Sequence, residues 1–179
     1  MGPAAPVDPA SVSGAPLRAG GSSFPAVTAS DLATLRAHKL MMPAQGVTPE
    51  KLIDSFDDLR GGTRRHEAID IMSPRGTPVV SADDGQVLKL HNSVAGGLSI
   101  YMADTSQRYI MLYAHLDRYQ PGLSAGMQVK KGQVIGYVGS TGNASPAAPH
   151  LHFAIGRSDN MKEWWKGTPM NPFLIWRGK

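Results

Sequence analysis

Residues 109–116 read Tyr-Ile-Met-Leu-Tyr-Ala-His-Leu, an apolar and aromatic stretch without Gly or Pro, and they decide the fold. Such a stretch is strongly strand-like. Successive side chains of a strand point to opposite faces. This alternation predicts two sets: Tyr109, Met111, Tyr113 and His115 on one face, and Ile110, Leu112, Ala114 and Leu116 on the other. A lone histidine on a strand is most often structural, so a functional role for His115 depends on other residues.

Short apolar runs separated by turn residues continue this pattern on both sides of residues 109–116. They cover residues 68–72, 78–82, 86–90, 98–103, 134–138 and 151–155. Evenly spaced short strands with glycine-containing turns are typical of antiparallel sheets. The sequence therefore predicts a mainly β fold, an antiparallel β-sandwich or barrel-like sheet with a few short helices, mostly N-terminal.

The N-terminal region has a different composition from the rest of the chain. Residues 1–28 are rich in Ala, Pro, Gly and Ser, which predicts a flexible leader or linker, and no apolar signal-peptide segment is visible there. Ser30 is predicted to cap a short helix that ends before Pro43, and Thr48-Pro49 begins another helical turn. We expect residues 29–179 to form one domain, with its functional motifs between about 56 and 156.

Composition narrows the classes of function. The 179 residues include no cysteine, which excludes disulfides, thiolate metal ligands and a cysteine nucleophile. The net charge of +4 favours anionic partners. No dense Lys/Arg run is interleaved with aromatic residues, so nucleic-acid binding is not expected. No apolar stretch reaches the length of about 18 residues that a membrane span needs.

The histidines fall into suggestive pairs with other residues. His66 and Asp70 are four positions apart, and alone this pair is more simply interpreted as a surface histidine and a turn-capping aspartate. His150 and His152 flank Leu151, so on a strand both imidazoles share one face while Leu151 faces the core. That pair could equally be two solvated histidines on a half-exposed strand.

Taken together, these residues indicate a metal site more strongly than either pair does alone. Three protein ligands with an open position make a catalytic zinc site, and imidazole and carboxylate are suitable ligands. His66, Asp70 and one of His150 and His152 would supply the three. The remaining histidines are then available to exchange protons with an attacking water.

The order of these motifs resembles the lysostaphin-type peptidases (the M23, LytM-like family). The resemblance covers residues 41–175 and rests on His66-x3-Asp70, Tyr113-x-His115 and His150-x-His152. The flanking segments 69–71, 74–79, 126–132, 139–142 and 149–153 match as well. The chain departs from the family at Ala68 (usually Gly), Asp57 (often Gly) and Ala154 (often Glu), and none of these changes removes a ligand.

The resemblance implies a complete set of roles. His66, Asp70 and His152 would bind one Zn²⁺ per chain, and His115 and His150 would be the catalytic pair. The implied activity is that of a zinc endopeptidase, which hydrolyses the peptide cross-links of bacterial peptidoglycan at a D,D or a glycyl bond. Such a protein would be exported to the bacterial cell envelope, in the periplasm or wall.

Alternatives remain at this point. The chain could be a non-catalytic wall-binding or amidase-regulating module of the same fold, or a peptidase for protein substrates. A biotinyl- or lipoyl-type carrier, suggested by the turn at 129–132, is disfavoured because it leaves the histidines unexplained. Trp164-Trp165 could be a binding ledge or could pack against the sheet. Residues 139–143 are expected to line a cleft, and His38 and His91 to be surface residues.

Overall fold

The computed structural model describes residues 26–178. The predicted leader, residues 1–28, lies almost wholly outside the described residues and stays a prediction. Eleven strands and two α-helices make up the described part. The helices are α1 (Ala29–Ala37) and α2 (Phe173–Arg177), with 3₁₀ turns at Pro49–Lys51 and Met161–Glu163. The strands are β1 (Leu59–Arg60), β2 (Arg64–Arg65), β3 (Ile69–Met72), β4 (Pro78–Val80), β5 (Gly85–Ser93), β6 (Gly97–Asp104), β7 (Tyr109–Tyr119), β8 (Gln128–Val129), β9 (Val134–Val138), β10 (His150–Arg157) and β11 (Thr168–Met170).

Nine of these strands form one antiparallel sheet, and β1 and β2 form a separate hairpin. The main path of the sheet is β11-β10-β7-β6-β5-β8. β3 pairs with β10, and β9 pairs with both β7 and β4. The predicted mainly β, antiparallel and sandwich-like fold is confirmed, and the sheet formed by residues 26–178 does not close into a barrel. Beyond the expected N-terminal helical turns, two short helical segments lie near the C-terminus.

From residue 109 to 114 the two faces of β7 pack against different clusters, as its alternation predicts. Leu116 lies in the main core and not on the face predicted for it. Tyr109, Met111 and Tyr113 are buried in the main core. Ile110, Leu112 and Ala114 are buried in a second, smaller cluster on the opposite face. The strand is therefore covered on both sides, which explains why its sequence is almost continuously apolar.

His115 does not follow this alternation, and the prediction that it shares a face with Tyr113 is wrong. Tyr113 lies in the main core, whereas the His115 ring contacts His150 and His152. Between its pairings with Leu98 and Ile100, β7 contains one residue more than β6. His115 has a φ of 60°. This β-bulge turns the histidine to the other face of the sheet, a common role of bulges beside functional sites.

Helix α1 begins two residues earlier than predicted. Its N-cap is Thr28, not Ser30, because Thr28 and Asp31 satisfy each other's backbone N–H groups in a capping box. Asp31 also accepts hydrogen bonds from Arg157 Nη1 (2.9 Å) and Tyr109 Oη (3.1 Å), which attach α1 to β10 and β7. Among residues 26–178, no helix has the length and apolar character that crossing a membrane requires.

Candidate active site

Neighbouring strands bring the predicted site residues together. β10 carries His150 and His152, and its pairing with β3 places His152 opposite Asp70. On its other side β10 pairs with β7, where Ala114 lies opposite His152 and His115 follows. His66 precedes β3. The site residues thus lie on one face of the sheet, while Leu151 and its neighbours fill the core beneath.

Three donor atoms converge at the centre of the site. His66 Nε2 lies 3.1 Å from Asp70 Oδ1 and 3.1 Å from His152 Nδ1, and the last two atoms are 3.2 Å apart. A tetrahedral zinc ion with bonds of about 2.0–2.1 Å places its ligand atoms about 3.3–3.4 Å apart. The donor set and its spacing therefore fit a zinc ion, and His66, Asp70 and His152 can hold a metal.

Backbone carbonyls fix the orientation of three imidazoles. The Nδ1 atoms of His66, His115 and His150 lie 3.0, 2.7 and 2.9 Å from the carbonyl oxygens of residues 55, 141 and 148, respectively. A carbonyl oxygen only accepts, so each Nδ1 carries a proton, and in the neutral form of each ring Nε2 presents its lone pair. This is the arrangement expected of histidines that bind a metal or accept a proton.

His152 is oriented the other way. Its Nδ1 faces Asp70 and His66, and its buried Nε2 has no hydrogen-bond partner among the described residues. Burial lowers the pKa of His152 to about 4, so its ring is neutral at neutral pH. The two binding modes, Nε2 from His66 and Nδ1 from His152, allow both rings to reach one point.

The electrostatics of the site suit a cation. Burial acts to raise the pKa of Asp70, but the close contacts of its carboxylate with the imidazoles of His152 and His66 outweigh it and hold that pKa far below its usual range. Burial also lowers the pKa of His115. An ionised Asp70 carboxylate therefore faces the neutral ring of His152, which is the protonation state that these two metal ligands need.

Arg60 is a site residue that sequence reasoning missed. Its Nη2 donates to Asp70 Oδ2 at 2.7 Å, so it holds the oxygen that does not face the histidines. Nη2 also lies 3.2 Å from His66 Nδ1, but both atoms are donors because that Nδ1 donates to the Ser55 carbonyl. The signal available in the sequence was Gly61-Gly62, a turn that folds Arg60 back beside His66.

A cleft surrounds these residues and has two walls. The β1–β2 hairpin contributes Arg60, Gly61 and Arg64 on one side, and the loop before β10 contributes the opposite side. The cleft-lining residues of that loop are Asn143, Ala144, Ser145 and Ala148. The prediction that residues 139–143 line the cleft holds for Asn143, and the Thr141 carbonyl orients His115 instead.

The other residues singled out in the sequence lie outside the cleft and contact other parts of the fold. The ring of Trp164 packs 4.5 Å from Tyr101 and 5.3 Å from His91, and it is not among the cleft-lining residues. His38 Nδ1 lies 2.6 Å from Asp83 Oδ2. Lys131 Nζ lies 3.5 Å from Asp83 Oδ1. Trp164 therefore packs against the sheet, neither His38 nor His91 is freely solvated, and Lys131 pairs with Asp83.

Comparison with known proteins identifies the family. The profile of peptidase family M23 matches residues 64–172. The L-Ala–D-Glu endopeptidase of Bacillus subtilis is 37% identical over 109 residues (58% of this chain and 33% of that protein). The peptidoglycan DD-endopeptidase ShyC of Vibrio cholerae is 38% identical over 93 residues (52% and 20%). The chain thus spans a third or less of either relative.

A solved structure shares the fold. The catalytic domain of the antimicrobial peptidase lysostaphin from Staphylococcus simulans superimposes with a TM-score of 0.55 at 26% identity. The match covers 82% of this chain and 97% of that domain. The motifs, the sheet and the site geometry agree with these comparisons, and the chain belongs to peptidase family M23.

Proposed function

We propose that this chain is a zinc-dependent endopeptidase that hydrolyses peptide bonds in bacterial peptidoglycan. His66, Asp70 and His152 would hold one zinc ion, and His115 and His150 would be the catalytic pair. The observation that carries the proposal is the convergence of three donor atoms at 3.1–3.2 Å on the floor of an open cleft. Two further imidazoles lie beside them.

The catalytic pair is positioned for proton transfer. The ring centroids of His115 and His150 are 5.0 Å apart, and both rings keep Nδ1 on a backbone carbonyl. The Nε2 of each ring is thus left for a bound peptide, and that of His150 lies 3.6 Å from Asp70 Oδ1. One Nε2 would accept the proton of the attacking water and pass it to the leaving amine. The other ring, when protonated on Nε2 as well, would donate a hydrogen bond to the oxyanion.

The metal contributes the remaining chemistry. When bound, a zinc ion lowers the pKa of water towards neutrality and polarises the scissile carbonyl. Because burial lowers the pKa of His115, this ring is neutral and able to accept a proton at neutral pH. The protein supplies fixed orientation, so little reorganisation accompanies the reaction.

The substrate class rests on the cleft and on the relatives. The cleft is open between the β1–β2 hairpin and the loop before β10, so an extended peptide can cross the site. Relatives that match this chain are named as endopeptidases, one of them for peptidoglycan. Peptidoglycan lies outside the cytoplasmic membrane, so we also propose that the protein acts in the cell envelope.

Digestion of peptidoglycan sacculi tests the proposal. Purified protein should release muropeptides in which a peptide bond has been cut, and a chelator should stop the release until zinc is restored. Mass spectrometry identifies the bond. Absence of release from every sacculus type by protein that binds zinc stoichiometrically would favour the alternative of a non-catalytic wall-binding module.

A further inference from the structure

The hairpin wall of the cleft presents its arginines in two directions. β1 and β2 are antiparallel, with Arg60 opposite Arg64 and Leu59 opposite Arg65. Arg60 and Arg64 both line the cleft. Arg65 points away from it and donates to Asp57 Oδ1 at 2.9 Å, where both side chains are largely exposed (66% and 70%). Arg64 and Arg65 are adjacent in β2 and carry the same charge, but Arg64 lines the cleft and Arg65 lies outside it.

The two cleft arginines differ in their ion-pair partners. Arg60 is paired with Asp70. The Arg64 guanidinium has no hydrogen-bond partner, and no ion-pair partner within 4.0 Å, among residues 26–178. It acts on Glu67 only at longer range, lowering the pKa that burial of Glu67 raises. Like charges opposite each other across a hairpin repel, so Arg64 brings the hairpin no evident stability.

The rest of the cleft supplies no anion for Arg64. Asp70 is the one carboxylate that lines the described cleft, and it is already bonded to Arg60. The opposite wall is neutral, formed by small and amide side chains. A ligand that enters the cleft therefore meets, in Arg64, a guanidinium with no carboxylate within 4.0 Å among the described residues, and guanidinium binds a carboxylate through two parallel hydrogen bonds.

We propose that Arg64 binds a carboxylate of the substrate, and that the enzyme thereby prefers acidic stem peptides to uncharged glycine bridges. This inference rests on the proposed peptidase function and narrows its substrate class. Peptidoglycan stem peptides carry carboxylates on D-Glu, on diaminopimelate and on a terminal D-Ala. The shared chemistry is a free carboxylate close to the scissile bond.

The chain offers a matched pair of variants for the test. Arg64→Gln and Arg65→Gln remove the same charge from neighbouring positions, but only the first removes a donor from the cleft. The substrates are a synthetic cross-linked stem-peptide dimer, the same dimer with one carboxylate at a time converted to the carboxamide, and pentaglycine. kcat/KM is measured for each combination with zinc-loaded protein.

The wild type should prefer one carboxylate dimer over its carboxamide by about 10- to 100-fold, the range of a charge-assisted hydrogen bond. Arg64→Gln should remove this preference and Arg65→Gln should retain it. The position whose amidation matters identifies the carboxylate. Pentaglycine should be a poor substrate for the wild type.

Equal kcat/KM for acid and carboxamide in the wild type, or equal losses in the two variants, would overturn the role of Arg64 and leave the peptidase function standing. If the wild type cleaves none of these peptides, the proposed function fails instead. Calorimetric binding of the carboxylate dimer then decides the inference. Affinity that falls only in Arg64→Gln supports it, and affinity unchanged in that variant overturns it.

Discussion

The floor and the hairpin wall of the cleft are built in different ways. The floor is formed by β3, β7 and β10, which are far apart in the sequence but adjacent in the nine-stranded sheet. Phe153 beneath the floor is 0% exposed. The wall is a hairpin of two-residue strands whose side chains are mostly exposed. The comparison suggests a division of roles. A rigid floor can hold reacting groups within tenths of an ångström, whereas an exposed wall can change its contacts at little cost to stability.

The largest effect should come from removing a donor atom from the floor. His152→Ala deletes one of the three converging atoms, so we expect loss of stoichiometric zinc and of measurable turnover. Metal content by mass spectrometry and muropeptide release measure the two effects. His38→Ala, a histidine outside the cleft, is the control and should keep its zinc. A His152→Ala protein that retains one tightly bound zinc would show that the ligand assignment is wrong.

His115→Ala separates the two functions proposed for the floor. The bulge in β7 places this ring next to His150 and His152, but its nitrogens are not among the three converging donor atoms. Zinc should therefore remain bound, while kcat falls about 10²- to 10⁴-fold, the usual contribution of a general acid or base. Loss of zinc in this variant would move His115 into the ligand set.

Arg60→Gln tests a residue that joins wall and floor. Arg60 holds Asp70 Oδ2, so its loss should leave the carboxylate free to rotate and weaken zinc binding by about 10- to 100-fold. Competition with a chromophoric chelator measures the affinity directly, without any assay of activity. Arg65→Gln, from the outer face of the same hairpin, should bind zinc like the wild type. Equal zinc affinity in all three proteins would mean that Arg60 does not position Asp70.

Regular strands were the part of this structure that sequence patterns could predict. His150 and His152 share one face because β10 is an uninterrupted strand, and Leu151 between them marks the core side. His115 was placed on the wrong face because one extra residue in β7 shifts the alternation, and a bulge leaves no periodic signal. Arg60 and Arg64 were missed because two-residue strands are too short to show a pattern.

The N-terminal helix also shows where local sequence patterns fail to predict the structure. The helix itself was predicted, but the cap was assigned to Ser30 because that residue also precedes a helical pattern. The observed cap, Thr28, is selected by its reciprocal bonds with Asp31. Asp31 in turn binds Arg157 at the end of β10, a contact between residues 126 positions apart that no local pattern reveals.

Asp31→Asn should affect the stability of the floor and leave its chemistry unchanged. Burial acts to raise the pKa of Asp31, but hydrogen bonds from Thr28 and Tyr109 and the charge of Arg157 outweigh it and lower that pKa. The ionised form is therefore favoured by folding. Its stabilisation is complete above the ordinary pKa of about 4 and is lost as the pH falls through the lower pKa of the folded state.

We expect Asp31→Asn to lower the free energy of unfolding by about 1.5–3 kcal/mol at pH 7, the range for a hydrogen bond to a charged group. The difference from the wild type should shrink below about pH 4, because asparagine cannot be protonated there and aspartate can. Urea unfolding at a series of pH values measures it, and kcat at pH 7 should be unchanged. A difference that stays constant from pH 7 to pH 3 would show that the charge of Asp31 does not attach α1 to β10. The anchoring would then come from packing alone.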